Sequence, residues 1–407
     1  MGFITTLYII LFFFGIFFLL IFILMQYRNS KALYDYPKPK RYPTVSFLVP
    51  AYNEEKSIAD TINALLNIKY PKGKKEIIVI NDGSKDRTAE IVRKLEKKYK
   101  EIYLLNKKNS GKANSLNQAI KLAKGELIAV VDADSYPNKN ALIRMVGYFE
   151  DENVGAVTSR VLVKNKKNWI ERYQVLDYSI IAWTRKLLDF VNSVYVTNGP
   201  LSIYRKDIVV EIGGFDPKNL TEDIEITWNI LSHDYDTRMS YSAIVYTIVP
   251  SDFKMWVKQR VRWNLGGLQT IYKYWRHMFR RREFGYFVIP YVAASFMFAI
   301  IGFLLILRYA WIKGSYYYYS IYYYFLGYDF FRYIEFNFTL TLLFFFAMTF
   351  LVFAIYYYKT GFKHSETGRK SVLKILAYSF FYRSLYIVPL LIAWYKLARG
   401  DIRWYTK

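Results

Sequence analysis

Five short polar signatures stand in a fixed order between residues 50 and 263. They are Asn53-Glu54, Asn81-Asp82-Gly83, Asp132-Ala133-Asp134, Thr221-Glu222-Asp223 and Gln259-Arg260-Val261-Arg262-Trp263. Carboxylates, an arginine and a tryptophan in this order suit a site that must hold a diphosphate, a divalent cation and a sugar. Asp132 and Asp134 are two apart, so in an extended segment both point the same way. With only alanine between them they can hold Mg2+ or Mn2+ through oxygen and leave positions for substrate phosphates. Such an ion neutralises charge building on a departing phosphate.

The other signatures supply complementary chemistry. The Asp82 carboxylate can accept from a nucleobase N–H while Tyr52 offers the ring a flat face. Taken alone, Asn81-Asp82-Gly83-Ser84 reads equally well as a turn. Lys112 follows Ser110-Gly111 and opens a helix, where a point charge suits phosphate; a solvated surface lysine is the plain alternative. Thr221-Glu222-Asp223 follows a Gly213-Gly214-Phe215 turn. Sugar transfer with inversion needs one carboxylate to take the acceptor hydroxyl proton as the sugar passes through an oxocarbenium-like state. Asp223 is the candidate base, with Glu222 shaping the pocket. Arg262 can hold a leaving diphosphate bidentately, and Trp263 can stack on the apolar face of an acceptor sugar.

These residues must be carried by elements that bring them together. Val45–Val49, Ile77–Ile80, Ile102–Leu105 and Leu127–Val131 read as buried strands, separated by helical stretches at about 54–67, 86–99 and 112–123. That alternation predicts an α/β domain with a mostly parallel sheet and right-handed crossovers. Ligands bind beyond the carboxyl ends of such strands, which is where Asn53-Glu54, Asn81-Asp82 and Asp132 fall. Two later segments are amphipathic at helical spacing, from Trp169 to Phe190 and from Val257 to Phe279. Each can pack in the core or lie in a membrane interface.

The rest of the chain is apolar and basic. Of 407 residues, 53% are hydrophobic and 20% aromatic, above soluble norms. Uncharged runs Phe3–Met25, Tyr286–Leu307 and Phe336–Tyr358 are long enough to cross a bilayer as helices. A fourth apolar stretch at 372–395 carries Lys374 and Arg383 and is expected to span as well. The first run reads as a retained anchor, and the bases after it place residues 26–285 in the cytoplasm. The expected division is an anchor at 1–27, a catalytic domain at 42–250, an interfacial helix at 251–284 and a transmembrane region at 285–407. With no cysteine, disulfides and thiolate metal sites are excluded, and three histidines argue against a histidine-based zinc site. The formal charge of +24 faces anionic lipid and phosphates, not nucleic acid.

In order and content the signatures resemble the processive family 2 glycosyltransferases, the group of cellulose, hyaluronan, chitin and poly-N-acetylglucosamine synthases. The resemblance covers about 42–275. Gln259 to Trp263 fits that group's Gln-x-x-Arg-Trp pattern, and Thr221 to Trp228 is most similar to the poly-N-acetylglucosamine synthase branch. Asn198-Gly199-Pro200 with Tyr204-Arg205 is similar to the hyaluronan and chitin enzymes. The resemblance implies a GT-A fold, a UDP-sugar donor, Mg2+ or Mn2+, inversion, and export of a growing polysaccharide through the membrane helices. It places Tyr52, Glu54, Asp82, Lys112, Asp132, Gln259 and Arg262 with the donor. Asp134 joins Asp132 as metal ligand, and Trp263, Gly199 and Arg205 go with the acceptor. No counterpart of the cellulose synthase gating loop is present, so a pore needs a second copy or an accessory subunit. The alternative is a single transfer to a polyprenyl phosphate or lipid head group. A transporter with a nucleotide-binding regulator lacks support: there is no phosphate-binding Gly-x-x-x-x-Gly-Lys loop and no inverted repeat.

Overall fold

A computed structural model describes residues 3–280, 282–325 and 377–400. The chain divides into two units, residues 1–28 with 291–388, and residues 29–290 with 389–407. In the first unit, α1 (Phe3–Asn29) sets Phe14 against Phe298 and Phe18 against Tyr291, with ring centroids 5.4 and 5.3 Å apart. Among the described residues two helices are long and apolar enough to cross a bilayer, Ile9–Asn29 and Phe284–Ile312. The first two of the expected spans are thus present as helices. Phe336–Tyr358 lies outside the described residues. The stretch at 372–395 is described from Ala377 onward, where a π-helical turn (Tyr378–Tyr382) and a 3-10 turn (Ser384–Tyr386) run into the helix Ile387–Ala398.

The second unit is built on an eight-stranded sheet. β1 (Val45–Ala51) lies between β2 (Lys75–Asp82) and β4 (Leu127–Val130), and β3 (Ile102–Lys107) extends the parallel run beyond β2. Period-two alternation divides their side chains between two cores. Val45, Phe47, Val49, Ile77 and Val79 face α2 (Ile58–Leu66) and α3 (Thr88–Lys98). Leu48, Ile78, Ile80 and Ile128 face α4 (Lys112–Leu122). Each buried Val, Ile, Leu or Phe is worth about 1.5–3 kcal/mol.

The other half of the sheet is mixed, so four of the seven strand pairings are parallel, in keeping with the expected mostly parallel arrangement. β5 (Ser135–Pro137), α5 (Ile143–Val146), β6 (Val154–Val163) and α6 (Trp169–Asp189) precede β7 (Ser202–Arg205), α7 (Lys206–Glu211), α8 (Glu222–Ser232), β8 (Asp236–Thr247) and α9 (Phe253–Tyr274). The strand order is β3-β2-β1-β4-β7-β6-β8-β5. β7 runs antiparallel to both β4 and β6, and β5 antiparallel to β8, while β6 and β8 are parallel. The whole is a mixed α/β sheet consistent with the GT-A type.

The two amphipathic stripes also resolve. On α6 the stripe is core: Leu176, Trp183 and Leu187 are buried, and only Trp169 at its start is open. The α9 stripe divides. Val261, Leu265 and Leu268 are buried, whereas Tyr272, Trp275 and Phe279 are exposed at 81%, 55% and 64%.

Candidate active site

Parallel pairing of β1, β2 and β4 delivers three signatures to one sheet edge. The loops after β1 and β2 are laced together: the Asn53 N–H donates to Ser84 Oγ (3.0 Å), and Asn53 Oδ1 accepts from the Lys85 N–H (2.8 Å). Asn53 adopts a left-handed backbone at φ 55°. The Glu54 N–H donates to Thr88 Oγ1 at 2.8 Å. Tyr52 is half-buried directly after β1. Asp82 is buried and already occupied. Its Oδ1 accepts from Lys107 and from the Ser110 N–H (2.9 Å), and its Oδ2 from the Gly111 N–H (2.9 Å). An ionised carboxylate has about four acceptor positions. One remains on Oδ2 for a ligand, and the rest hold the loop that leads to Lys112.

Lys112 is the hub. Its Nζ lies 2.6 Å from Asp132 Oδ1 and 2.6 Å from Glu222 Oε1, joining the loop after β4 to the first turn of α8. Burial works against its charge, but Asp132, Glu222 and Asp223 outweigh that and hold the ammonium above its ordinary range. Gly199 forms the wall beside it. A Cβ there would stand 2.6 Å from Asp132 Oδ2 and 2.9 Å from Lys112 Nζ, so any larger residue would have to displace these two side chains.

The two carboxylates that open α8 are pushed apart. Burial and the neighbouring Glu222 charge raise the Asp223 carboxyl to about 6, against the pull of Lys112 and Arg262. Burial also opposes the Glu222 charge, but Lys112 and Arg262 prevail and take it below its usual range. Adjacent groups separated in this way are how a site assigns one of them as base near neutral pH.

α9 presses against this corner through small residues. A Cβ on Gly266 would overlap Thr221 Oγ1. Lys273 Nζ and Tyr274 Oη donate to Glu225 Oε1 at 2.6 and 2.8 Å, pinning the far end of α9 to α8. Arg262 is exposed toward the carboxylates whose charges it influences. Gln259 is half-buried with its Oε1 unpaired. Trp263 lies on the Arg260 guanidinium, 4.0 Å from carbon to ring centroid, and Arg260 is pinned by buried Asp177 at 2.9 Å. The sequence reading missed Asp177 and the role of Arg260 because the two residues are far apart in the chain.

The structure therefore brings together Asp132, Lys112, Gly199, Glu222, Asp223 and Arg262, with Asp134 two residues beyond Asp132. It does not bring Arg205. That side chain donates to the carbonyls of Phe149 (2.5 Å), Asp151 (2.9 Å) and Val154 (3.0 Å) at the opposite sheet edge. The reason is the reversal of β7, which pairs Arg205 with Leu127 at the start of β4.

For a divalent cation the donors on offer are oxygens alone. Among the described residues no group of three or more His, Cys, Asp or Glu closes into a cage. Asp132 and Asp134 fit as the protein half of a shell that phosphate oxygens complete, the arrangement usual for a hard cation bound with a nucleotide.

Residues 43–266 match the sequence pattern described as glycosyltransferase like family 2, and the chain belongs to that family. Poly-beta-1,6-N-acetyl-D-glucosamine synthase of Staphylococcus aureus (strain COL) is 32% identical over 249 residues, 61% of this chain and 60% of that one. The synthase of the same name from Staphylococcus epidermidis is 33% identical over 229 residues, 56% and 55% of the two chains. The chain thus matches less than two thirds of either relative. A solved structure, mannosyltransferase PcManGT from Pyrobaculum calidifontis in complex with GDP-Man and Mn2+, shares the fold. Its TM-score is 0.60 at 20% identity, covering 96% of this chain and 99% of that one.

Proposed function

We propose that this family 2 member is an inverting glycosyltransferase that moves a sugar from a UDP-sugar to a growing polysaccharide, with N-acetylglucosamine or glucose as the sugar. The observation that carries the reading is the corner where Lys112 bridges Asp132 and Glu222 beside an Asp223 raised to about 6. Asp223 takes the proton of the acceptor hydroxyl. The acceptor oxygen bonds to the anomeric carbon on one face as the bond to the diphosphate breaks on the other. Lys112 and Arg262 meet the charge gathering on the leaving UDP. Asp132 and Asp134 would hold a divalent cation, whose chemistry is to offset that same charge. Trp263 is the platform for the terminal sugar, held flat by Arg260. The names of the staphylococcal relatives support a polymer product. Apolar helices at Ile9–Asn29 and Phe284–Ile312 support a membrane enzyme, and the bases that follow the first favour a cytoplasmic catalytic unit.

The test is a donor screen of the purified chain with UDP-sugars, followed by sizing of the product. A long polymer from one donor, and loss of UDP release on chelation, are expected. Full activity in excess EDTA would sink the metal assignment. A product with only one sugar on a lipid would replace the polymer with transfer to a polyprenyl phosphate or lipid head group. That second reading is favoured by one observation, the Arg185 guanidinium, which bonds the neutral Asn198 amide and, among the described residues, no carboxylate.

A further inference from the structure

Arg185 reaches the corner from α6 and is used by none of the chemistry above. It is half-buried, and its one hydrogen bond goes to the side-chain Oδ1 of Asn198, a neutral partner. Among the described residues no carboxylate lies within ion-pair distance of it. Asn198 is 9% exposed, also accepts from Thr158 Oγ1 at 2.9 Å, and leaves its own Nδ2 buried with no partner. The amide cannot be turned over, because that would set its NH2 against the guanidinium. A guanidinium has five donors, so the pair holds several unspent N–H groups in one place. Burying a cation and donors without acceptors is costly.

The surroundings fix where these donors lie. Thr197 Oγ1 is 3.4 Å from the Asp223 carbonyl, its N–H donates to Thr227 Oγ1 (2.9 Å), and Gly199 abuts the Asp132 carboxylate. Asn198 therefore sits between the candidate base and the donor loop. Asp223 is the carboxylate whose charge acts on Arg185, whereas Lys112 bonds Asp132 and Glu222 directly. Arg185 is thus a second cation of this corner, bonded to a neutral amide and, among the described residues, to no carboxylate.

We propose that Arg185 and the Nδ2–H of Asn198 form a second anion subsite that takes the phosphate of a phosphate-bearing lipid acceptor. The proposal rests on the glycosyl-transfer reading. It is compatible with single transfer to a lipid phosphate and with a polymer begun on one. A neutral sugar would meet the hydrogen-bonding need of these groups and leave the charge of Arg185 uncompensated.

The experiment is binding of farnesyl phosphate against farnesol to the full chain in detergent, with UDP and Mn2+ saturating so that Lys112 and Arg262 are occupied. Wild type is expected to prefer farnesyl phosphate by tenfold or more. Arg185→Gln should erase that preference while UDP affinity moves less than threefold, and Arg185→Lys should keep part of it. Equal affinity for the two probes in wild type, or a preference that survives Arg185→Gln, overturns the proposal. If Arg185→Gln fails to fold, Asn198→Ala decides, since an unchanged preference there overturns it equally. Loss of UDP binding by wild type is a separate result, which removes the donor site and the glycosyl-transfer reading with it.

Discussion

The two ends of β7 differ in use. At its entry, Gly199 touches the Asp132 carboxylate and Asn198 faces Arg185. At its exit, Arg205 donates to three main-chain carbonyls and lines a cavity of about 710 Å3 with Arg41, Glu126, Phe149, Asp207 and Glu211. Four strand residues at about 3.3 Å each carry the chain roughly 13 Å from one to the other. At the first end, charges crowd one another and carboxyl groups move off their ordinary values. At the second, a cation is spent on satisfying backbone. Crowded charge marks the chemistry, and satisfied charge marks the scaffold.

The sharpest way to break this contrast is Asp223→Asn, which keeps shape and removes the base. Turnover is expected to fall by about 10² or more while UDP affinity stays within a few-fold. The substitution should also raise the thermal midpoint at pH 7.5. The folded carboxyl titrates near 6, above the unfolded value of about 3.9, so above that range its charge burdens the fold, and a neutral amide relieves it. Collapse of UDP affinity with turnover retained would move the base to Glu222.

The pH profile tests the same corner without mutation. Since the deprotonated carboxylate is the active form, the rate of the wild type should plateau above about 6 and fall about tenfold per unit below it. Measured from pH 4.5 to 8 at saturating donor, a limb near 4 would mean that Glu222 and burial do not perturb Asp223.

Sequence reading located what is local. Short strands buried on both faces and signatures at the ends of β1, β2 and β4 follow from residues a few places apart, and the structure keeps them. It missed what depends on pairing across the chain. Nothing in the spacing of residues 177 and 260 says that Asp177 pins Arg260 under Trp263, or that Arg185 meets Asn198. The resemblance of Asn198-Gly199-Pro200 with Tyr204-Arg205 to the hyaluronan and chitin enzymes puts Arg205 beside Gly199 in the site. The antiparallel turn of β7 undoes that closeness, and strand direction cannot be read from apolar alternation.

Trp263→Ala carries the next smaller effect. Its indole rests on Arg260, so truncation removes stacking worth on the order of 1 kcal/mol, about fivefold in acceptor affinity. Polymer should shorten while slow donor hydrolysis, which needs no sugar acceptor, persists. Equal loss of both activities would place Trp263 in the donor site or in the fold.

The smallest effect on catalysis is expected at the other end of β7. Arg205→Gln shortens the side chain and takes away the reach to the carbonyls of Phe149, Asp151 and Val154. Each such bond contributes about 0.5–1.5 kcal/mol net, so the thermal midpoint should drop measurably. Donor and acceptor KM and turnover should stay within about twofold, because no group that moves lies near Asp223. The comparison with Trp263→Ala is what gives the result its weight. If Arg205→Gln raised acceptor KM tenfold with the midpoint unchanged, the acceptor would have to extend past the sheet to its far edge. The distinction between crowded and satisfied charge would then fail as a guide to the site.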